Sequence, residues 1–239
     1  MANTREADHR LAKLVVLIAL AIAGQLIARW IAGRYVSNLG APAQHLSFAV
    51  DAILLACVPF GYLLAPRLSI RVLPLLDAGD LRRALFRALV LALVSMAGAL
   101  LVSTIHHPNT TSGISAPIPP PLAIVLAIAA AFREEIEFRL GLLTVLGWLL
   151  HKIARENRSA SLWSANVAQA MAFGALHQVA GFTGRTSTLS LTGVVLEPRT
   201  ISGIVLGYAY MKYGLETAIL AHAIGDSTIF ALAASLRGV

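Results

Sequence analysis

The sequence predicts an all-α, polytopic membrane protein, and three observations lead to this fold class. The chain of 239 residues is 57% hydrophobic and only 13% charged, whereas a soluble domain usually carries about 25% charged residues. Its mean hydropathy is +0.75. Its apolar runs are long and unbroken rather than alternating with polar residues, which is typical of membrane helices and not of membrane β-strands.

Seven membrane spans can be drawn along the chain, on the basis that roughly 20 residues cross a bilayer core. The first is interpreted as a retained helix rather than a signal peptide, since Gln25 and Arg29 lie near its end and no small-residue cleavage site is evident. The segment 140–150 is too short to cross upright, so we expect a bent continuation of the fourth span or a partly inserted helix. The sixth span is also short. In order, the predicted spans cover 11–31, 48–65, 84–105, 121–139, 162–179, 200–211 and 216–236.

The loops between these spans predict the orientation of the chain. The net charge of +7 lies largely in short loops, and an excess of Lys and Arg there marks the cytoplasmic side, so we expect a cytoplasmic N-terminus and no nucleic-acid partner. The loop 106–120 carries no charged residue and ends in prolines, which indicates an extended external connector. The single cysteine, Cys57, excludes an intramolecular disulfide and a cysteine-based metal site.

The chain is interpreted as a single transmembrane domain, 1–239, with two parts. Residues 1–120 are expected to form scaffold spans. Residues 121–239 are expected to form the catalytic core, because the polar intramembrane residues are concentrated there.

Some polar residues are predicted to have structural roles only. Asp51 in the second span is expected to pair with Gln25 or Arg29 across helices. Arg133 and Glu137 are expected to pair with each other at i,i+4 spacing and to face headgroups or water.

The most informative segment is 133–139, which places five ionisable residues in seven positions beside two apolar stretches. A charged side chain at membrane depth costs several kcal/mol unless it is paired or faces water. Glu135 and Arg139 have i,i+4 spacing and can pair on one helix face. Glu134 is rotated by about 100° and can face a different environment, which separates the roles of two adjacent carboxylates. The alternative is a set of solvated charges at the membrane border.

Two histidines lie deep within predicted spans, and each has a partner at helical spacing. His177 follows Phe173 by four residues in the fifth span, and Asp226 follows His222 by four residues in the seventh. A carboxylate oriented on an imidazole fixes its tautomer and raises its basicity. The alternatives are a packing or hydrogen-bonding role for His177 and a helix–helix hydrogen bond for the His222–Asp226 pair. Together with the glutamate pair, these residues on three spans can converge on one polar cavity that holds water within the membrane.

These residues form three signatures that resemble those of the CPBP family of intramembrane proteases, which comprises CAAX prenyl endopeptidases and bacteriocin-processing (Abi) proteases. The resemblance covers roughly residues 121–234, and the signatures are Glu134-Glu135-x-x-x-Arg139, Phe173-x-x-x-His177 and His222-x-x-x-Asp226.

The sequence shares one further feature with the family pattern and departs from it at two positions. The run Gly203-x-x-Leu206-Gly207 in the sixth span also resembles the family's small-residue packing helix. One departure is that Leu140 intervenes between the motif arginine and Gly141, where the family commonly has glycine at once. The other is that Asp226 stands where asparagine is common.

The resemblance implies a division of roles among the six candidate catalytic residues. Glu134 is the general base and activates a water together with His177. His222, supported by Asp226, stabilises the oxyanion, while Glu135 and Arg139 hold the motif helix. An ionised Asp226 cannot donate a hydrogen bond to an oxyanion as asparagine can, so it must be protonated, orient His222 or bind a metal.

Two alternatives to a metal-free protease remain open. Zn²⁺ could bind His177, His222 and a carboxylate, for which Glu134 and Asp226 are the candidates, and leave one position for water. The sequence lacks the compact His-Glu-x-x-His spacing, and we favour no cofactor. A proton-coupled transporter or a non-proteolytic scaffold would also use intramembrane Glu, His and Asp residues. The sequence shows no evident internal repeat, and this counts against a transporter. We expect an integral protein of the bacterial cytoplasmic membrane whose substrate is a membrane-associated peptide or protein, with the lipid bilayer as its other partner.

Overall fold

A computed structural model describes residues 2–35, 41–72, 78–105, 118–154, 157–179 and 190–237. Within these ranges the chain forms α-helices, one 3₁₀ turn and one π-helical segment, and it forms no β-strand. The predicted all-α class is confirmed. In chain order the elements are α1 (Ala2–Tyr35), α2 (Ala41–Leu64), the 3₁₀ turn (Ala65–Leu68), α3 (Ala78–Ile105), α4 (Pro120–Glu134), the π-helical segment (Glu135–Leu143), α5 (Thr144–Ala154), α6 (Arg158–Val179), α7 (Leu191–Val195), α8 (Pro198–Tyr213) and α9 (Leu215–Arg237).

Four helices of the described residues are long and apolar enough to cross a membrane, and they match the first, second, third and seventh predicted spans. Their spans are Asp8–Tyr35, Ala49–Leu68, Asp80–Ile105 and Leu215–Leu232. Large apolar side chains on these helices point outward, with Phe86 and Ile105 each 68% exposed. Because water would not favour such a surface, these helices indicate an integral membrane protein.

The fourth, fifth and sixth predicted spans stay predictions, because the helices at these positions are shorter or more polar than the four above. The α4 helix has only 15 residues before its geometry changes, and α8 has 16. The α6 helix is long enough, but it buries Asn166 and Gln169 against α8. These polar side chains lower its hydropathy.

Residues 120–154 form one continuous helical stretch, in which α4 passes through the π-helical segment into α5. The apolar segment 140–150 is therefore a continuation of the fourth predicted span. Two prolines open α4, as their fixed φ and missing N–H allow at a helix start. Leu140 and Gly141 both lie in the π-helical segment, a geometry that is frequent at functional sites. Residues 106–117 of the predicted external connector lie outside the described residues.

The helices of the predicted scaffold pack directly on the predicted catalytic core. The α1 helix packs on α4, α2 packs on the π-helical segment, and α3 packs on α8 and α9. Within the core, α8 meets α6 through Gly203 and Gly207, where a Cβ on Gly207 would lie 1.8 Å from the Asn166 side-chain oxygen. The predicted packing role of these glycines is confirmed.

The contact between α2 and the π-helical segment predicts a stability defect at Gly61. A Cβ at this position would lie 1.7 Å from the Leu140 carbonyl oxygen, and a backbone atom cannot move aside as a flexible side chain can. We expect Gly61→Ala to lower the free energy of unfolding by about 1–3 kcal/mol, measured by denaturant unfolding in detergent. Gly33→Ala is the control, because a Cβ there meets nothing within 4 Å. Equal stability of the two variants would contradict this packing.

Candidate active site

The three sequence signatures meet where the end of α4 and the π-helical segment face α6 and α9. Glu134 is the last residue of α4, and Glu135 is the first of the π-helical segment. Glu135 and Arg139 are 0% exposed, while Glu134 and His222 are 5% and 7% exposed. The interpretation of solvated charges at the membrane border is therefore wrong for these residues.

The two oxygens of the Glu134 carboxylate have different surroundings. Arg133 Nη2 donates a hydrogen bond of 2.5 Å to Oε1. The other oxygen, Oε2, lies 3.8 Å from His222 Nε2. The carboxylate also interacts electrostatically with His177. One oxygen is thus held by an arginine while the other points toward His222.

Glu135 joins two parts of the site. Its Oε2 lies 3.1 Å from Arg139 Nε, which confirms the predicted i,i+4 pair. Its Oε1 lies 2.8 Å from His222 Nδ1, a contact that sequence spacing did not predict. Since a carboxylate accepts hydrogen bonds, His222 Nδ1 carries the proton in this contact. Glu135 therefore orients His222 in addition to binding Arg139.

His222 lies between carboxylates on both sides of its ring. Asp226 Oδ2 is 3.3 Å from His222 Nε2, opposite the nitrogen that faces Glu135. The predicted i,i+4 contact between these two residues is confirmed. The Asp226 side chain is 32% exposed, so it lies at the edge of the cluster. Of the three roles left open for Asp226, this position favours the orientation of His222.

His177 and Phe173 form the wall on the side of α6. His177 Nδ1 lies 2.8 Å from the Phe173 carbonyl oxygen, so this nitrogen is the donor and the other ring nitrogen carries the lone pair. The Phe173 ring lies edge-to-face with His177 at 4.5 Å and with His222 at 6.3 Å between centroids. Arg139 Cζ is 4.9 Å from the centroid of the same ring. Phe173 was part of a signature, but its place among these three side chains was not predicted.

Arg133 is the residue for which the structure overturns the sequence prediction. It is paired with Glu134 and contacts Gln25 and Asp51, and Glu137 is only 2% exposed. The prediction that Arg133 and Glu137 face headgroups or water is therefore wrong, because neighbouring helices cover both side chains. The predicted contacts of Asp51 with Gln25 and Arg29 are both present.

The site side chains are not arranged as a set of metal ligands. Among the described residues, no three His, Cys, Asp or Glu side chains form a group that could hold one. His222 is also engaged through both ring nitrogens. Independence from metal stays a prediction. The predicted water-filled cavity also stays a prediction.

Comparison with known families identifies residues 116–228 as a match to the Rce1-like family, described as type II CAAX prenyl endopeptidase Rce1-like. The matched segment contains all six candidate catalytic residues and ends two residues after Asp226. No significant match was found among curated proteins or among solved structures. The resemblance to CAAX proteases read from the three signatures is thus confirmed, and the match supports a peptidase.

Proposed function

We propose that this protein is an intramembrane endopeptidase, because residues 116–228 match the family described as type II CAAX prenyl endopeptidase Rce1-like. It cleaves a membrane-associated peptide or protein with a water activated by Glu134. The observation that carries this proposal is the position of the Glu134 carboxylate, which is fixed by Arg133 on one oxygen and faces His222 with the other. A buried carboxylate held in this way can take a proton from water at a defined place.

In the first step, Glu134 removes a proton from a water whose oxygen attacks the carbonyl carbon of the scissile peptide bond. His177 supports the same water. Its Nδ1–H is used by the Phe173 carbonyl oxygen, so Nε2 can accept a hydrogen bond from the water. The attack turns the carbonyl oxygen into an oxyanion.

In the second step, His222 stabilises the oxyanion and the peptide bond breaks. Because His222 donates through Nδ1 to Glu135, it acts on the oxyanion as an imidazolium that carries a second proton on Nε2. This Nε2–H lies 3.3 Å from Asp226 Oδ2 and turns from that carboxylate to the oxyanion. A donor placed in advance is worth most in a site that contains little water. When the tetrahedral intermediate collapses, the C–N bond breaks and the proton on Glu134 passes to the leaving amine. The products are a new carboxylate and a new amine.

The experiment that tests this function uses the purified protein in liposomes with a fluorogenic farnesylated peptide that ends in a CAAX sequence. The same peptide without the prenyl group is the matched control. We expect cleavage at one peptide bond, identified by mass spectrometry, and faster cleavage of the form that partitions into the membrane. Proton-coupled uptake of a solute without any cleavage would favour the transporter instead. We place the protein in the cytoplasmic membrane of a bacterium.

Metal independence is a separate expected outcome. After dialysis against EDTA and 1,10-phenanthroline, the protein should retain its full rate on the farnesylated peptide, because Glu134 activates the water without a metal. Added Zn²⁺ should not raise the rate. Loss of turnover on chelation, restored by Zn²⁺ and accompanied by one bound zinc per chain, would establish the zinc mechanism.

A further inference from the structure

The predicted scaffold carries a polar cluster that reaches the proposed catalytic base. Gln25 lies on α1 and Asp51 on α2, and both precede the family-matched segment, which begins at residue 116. The Asp51 and Arg133 side chains are 17% and 14% exposed. Charged groups at this depth are expected to be paired and functional rather than incidental.

The contacts form a closed arrangement around Arg133. Its Nη1 donates to Gln25 Oε1 at 2.5 Å and lies 3.6 Å from Asp51 Oδ1. Gln25 Nε2 donates in turn to Asp51 Oδ2, which also accepts from Arg29 Nη2 at 3.2 Å. One guanidinium nitrogen of Arg133 is therefore fixed by α1 and α2.

The second terminal nitrogen of the guanidinium, Nη2, donates to Glu134 Oε1. Because the guanidinium is planar and its nitrogens have a fixed geometry, anchoring Nη1 determines where Nη2 points. The position of Nη2 determines in turn how the carboxylate is rotated and which way Oε2 faces. Without the anchor, a long arginine side chain would sample several rotamers.

We infer that Asp51 and Gln25 are positioning residues for the proposed reaction, which act through Arg133 to aim Glu134 at the attacking water. This inference rests on the proposed function. It assigns a part in catalysis to α1 and α2, beyond helix packing. The simpler role for Asp51 is to hold α1 to α2, which its contacts with Gln25 and Arg29 would achieve alone.

The test compares kcat and KM of Asp51 variants, which are reconstituted in liposomes and cleave the farnesylated peptide. Asp51→Asn is expected to lower kcat about tenfold, within the range seen for side chains that share an ion-pair network, and to change KM by less than about twofold. Asp51→Glu should recover most of kcat because it restores the carboxylate. Asp80→Asn, which removes an exposed carboxylate paired with Arg83, is the matched control and should behave as wild type.

A double-mutant cycle separates positioning from packing. Arg133→Gln should lower kcat without abolishing it, since Glu134 remains. Adding Asp51→Asn to Arg133→Gln should cause no further loss, because the path from Asp51 to Glu134 is already broken. Losses that multiply, or an equal loss in Asp51→Asn and Asp51→Glu, would show a packing role and overturn the inference.

The same double-mutant cycle can be measured as thermal stability in detergent. It then tests the contact between Asp51 and Arg133 without any substrate. Non-additive stability losses for Asp51→Asn and Arg133→Gln are expected if the two side chains interact, and additive losses would overturn the contact itself. If the stability cycle shows coupling but the wild type cleaves nothing, the proposed function fails and the positioning role fails with it. Turnover by the wild type with no coupling in kcat removes only the positioning role.

Discussion

Glu134→Gln is expected to abolish measurable cleavage, with kcat lowered by about 10²- to 10⁴-fold, the range that a positioned general base contributes. Glutamine has nearly the same shape and can keep a hydrogen bond with Arg133 through its carbonyl oxygen. It cannot take a proton from water at neutral pH. The variant should therefore still insert and fold, with KM little changed. The measurement is initial rates on the farnesylated peptide, together with size-exclusion profiles and thermal unfolding.

Glu216→Gln is the matched control for this prediction. Both Glu216 oxygens are buried at the start of α9, six residues before His222. The variant therefore removes a second buried carboxylate outside the site, and it should retain the wild-type rate. Unchanged cleavage by Glu134→Gln would refute the glutamate-activated water and leave the fold assignment intact. Equal losses in both variants would indicate a general effect of removing buried charge.

Arg139→Ala is expected to cause the largest loss of stability among single substitutions at the site, about 3–5 kcal/mol. The guanidinium is fully buried and pairs with Glu135 through Nε at 3.1 Å. It also lies over the Phe173 ring. Its removal leaves part of the Glu135 charge uncompensated and opens a void beside aromatic rings. The free energy of unfolding, measured in detergent with a chemical denaturant, is the direct test.

Arg83→Ala provides the comparison for Arg139→Ala. Arg83 pairs with Asp80 at the start of α3, where the two side chains are 62% and 49% exposed. A surface pair of this kind contributes at most about 1 kcal/mol. A loss for Arg139→Ala no greater than that for Arg83→Ala would mean that Glu135 is sufficiently stabilised by His222 alone, and the architectural role of Arg139 would be wrong.

Contacts within one helix were predictable from residue spacing. The Glu135–Arg139 and His222–Asp226 pairs follow from i,i+4 geometry, which places both members on one face. The long apolar runs predicted α1, α2, α3 and α9 for the same kind of local reason, since the length of an apolar run is compared directly with the bilayer thickness. The shorter and more polar helices could not be assigned as spans in this way.

Contacts between helices were not predictable from spacing. The contact between Glu135 and His222 joins residues 87 positions apart. Arg133 forms its ion pair with Glu134 rather than with Glu137, and this depends on which side of Arg133 the helices α1 and α2 occupy. Both i,i+4 spacing and adjacency allow an arginine to find a partner. Only the packing of neighbouring helices decides which one is available.

From the sequence alone it follows that this chain is an all-α membrane protein that carries three signatures resembling those of CAAX proteases. These conclusions depend on composition, run length and local spacing, which are properties of the chain order. Three contacts emerge only from the folded chain. Glu135 contacts His222, Phe173 lies among His177, His222 and Arg139, and Arg133 connects α1 and α2 to Glu134. Those pairings depend on helix rotation and depth, because a buried charged group binds whichever partner the neighbouring backbone brings within reach.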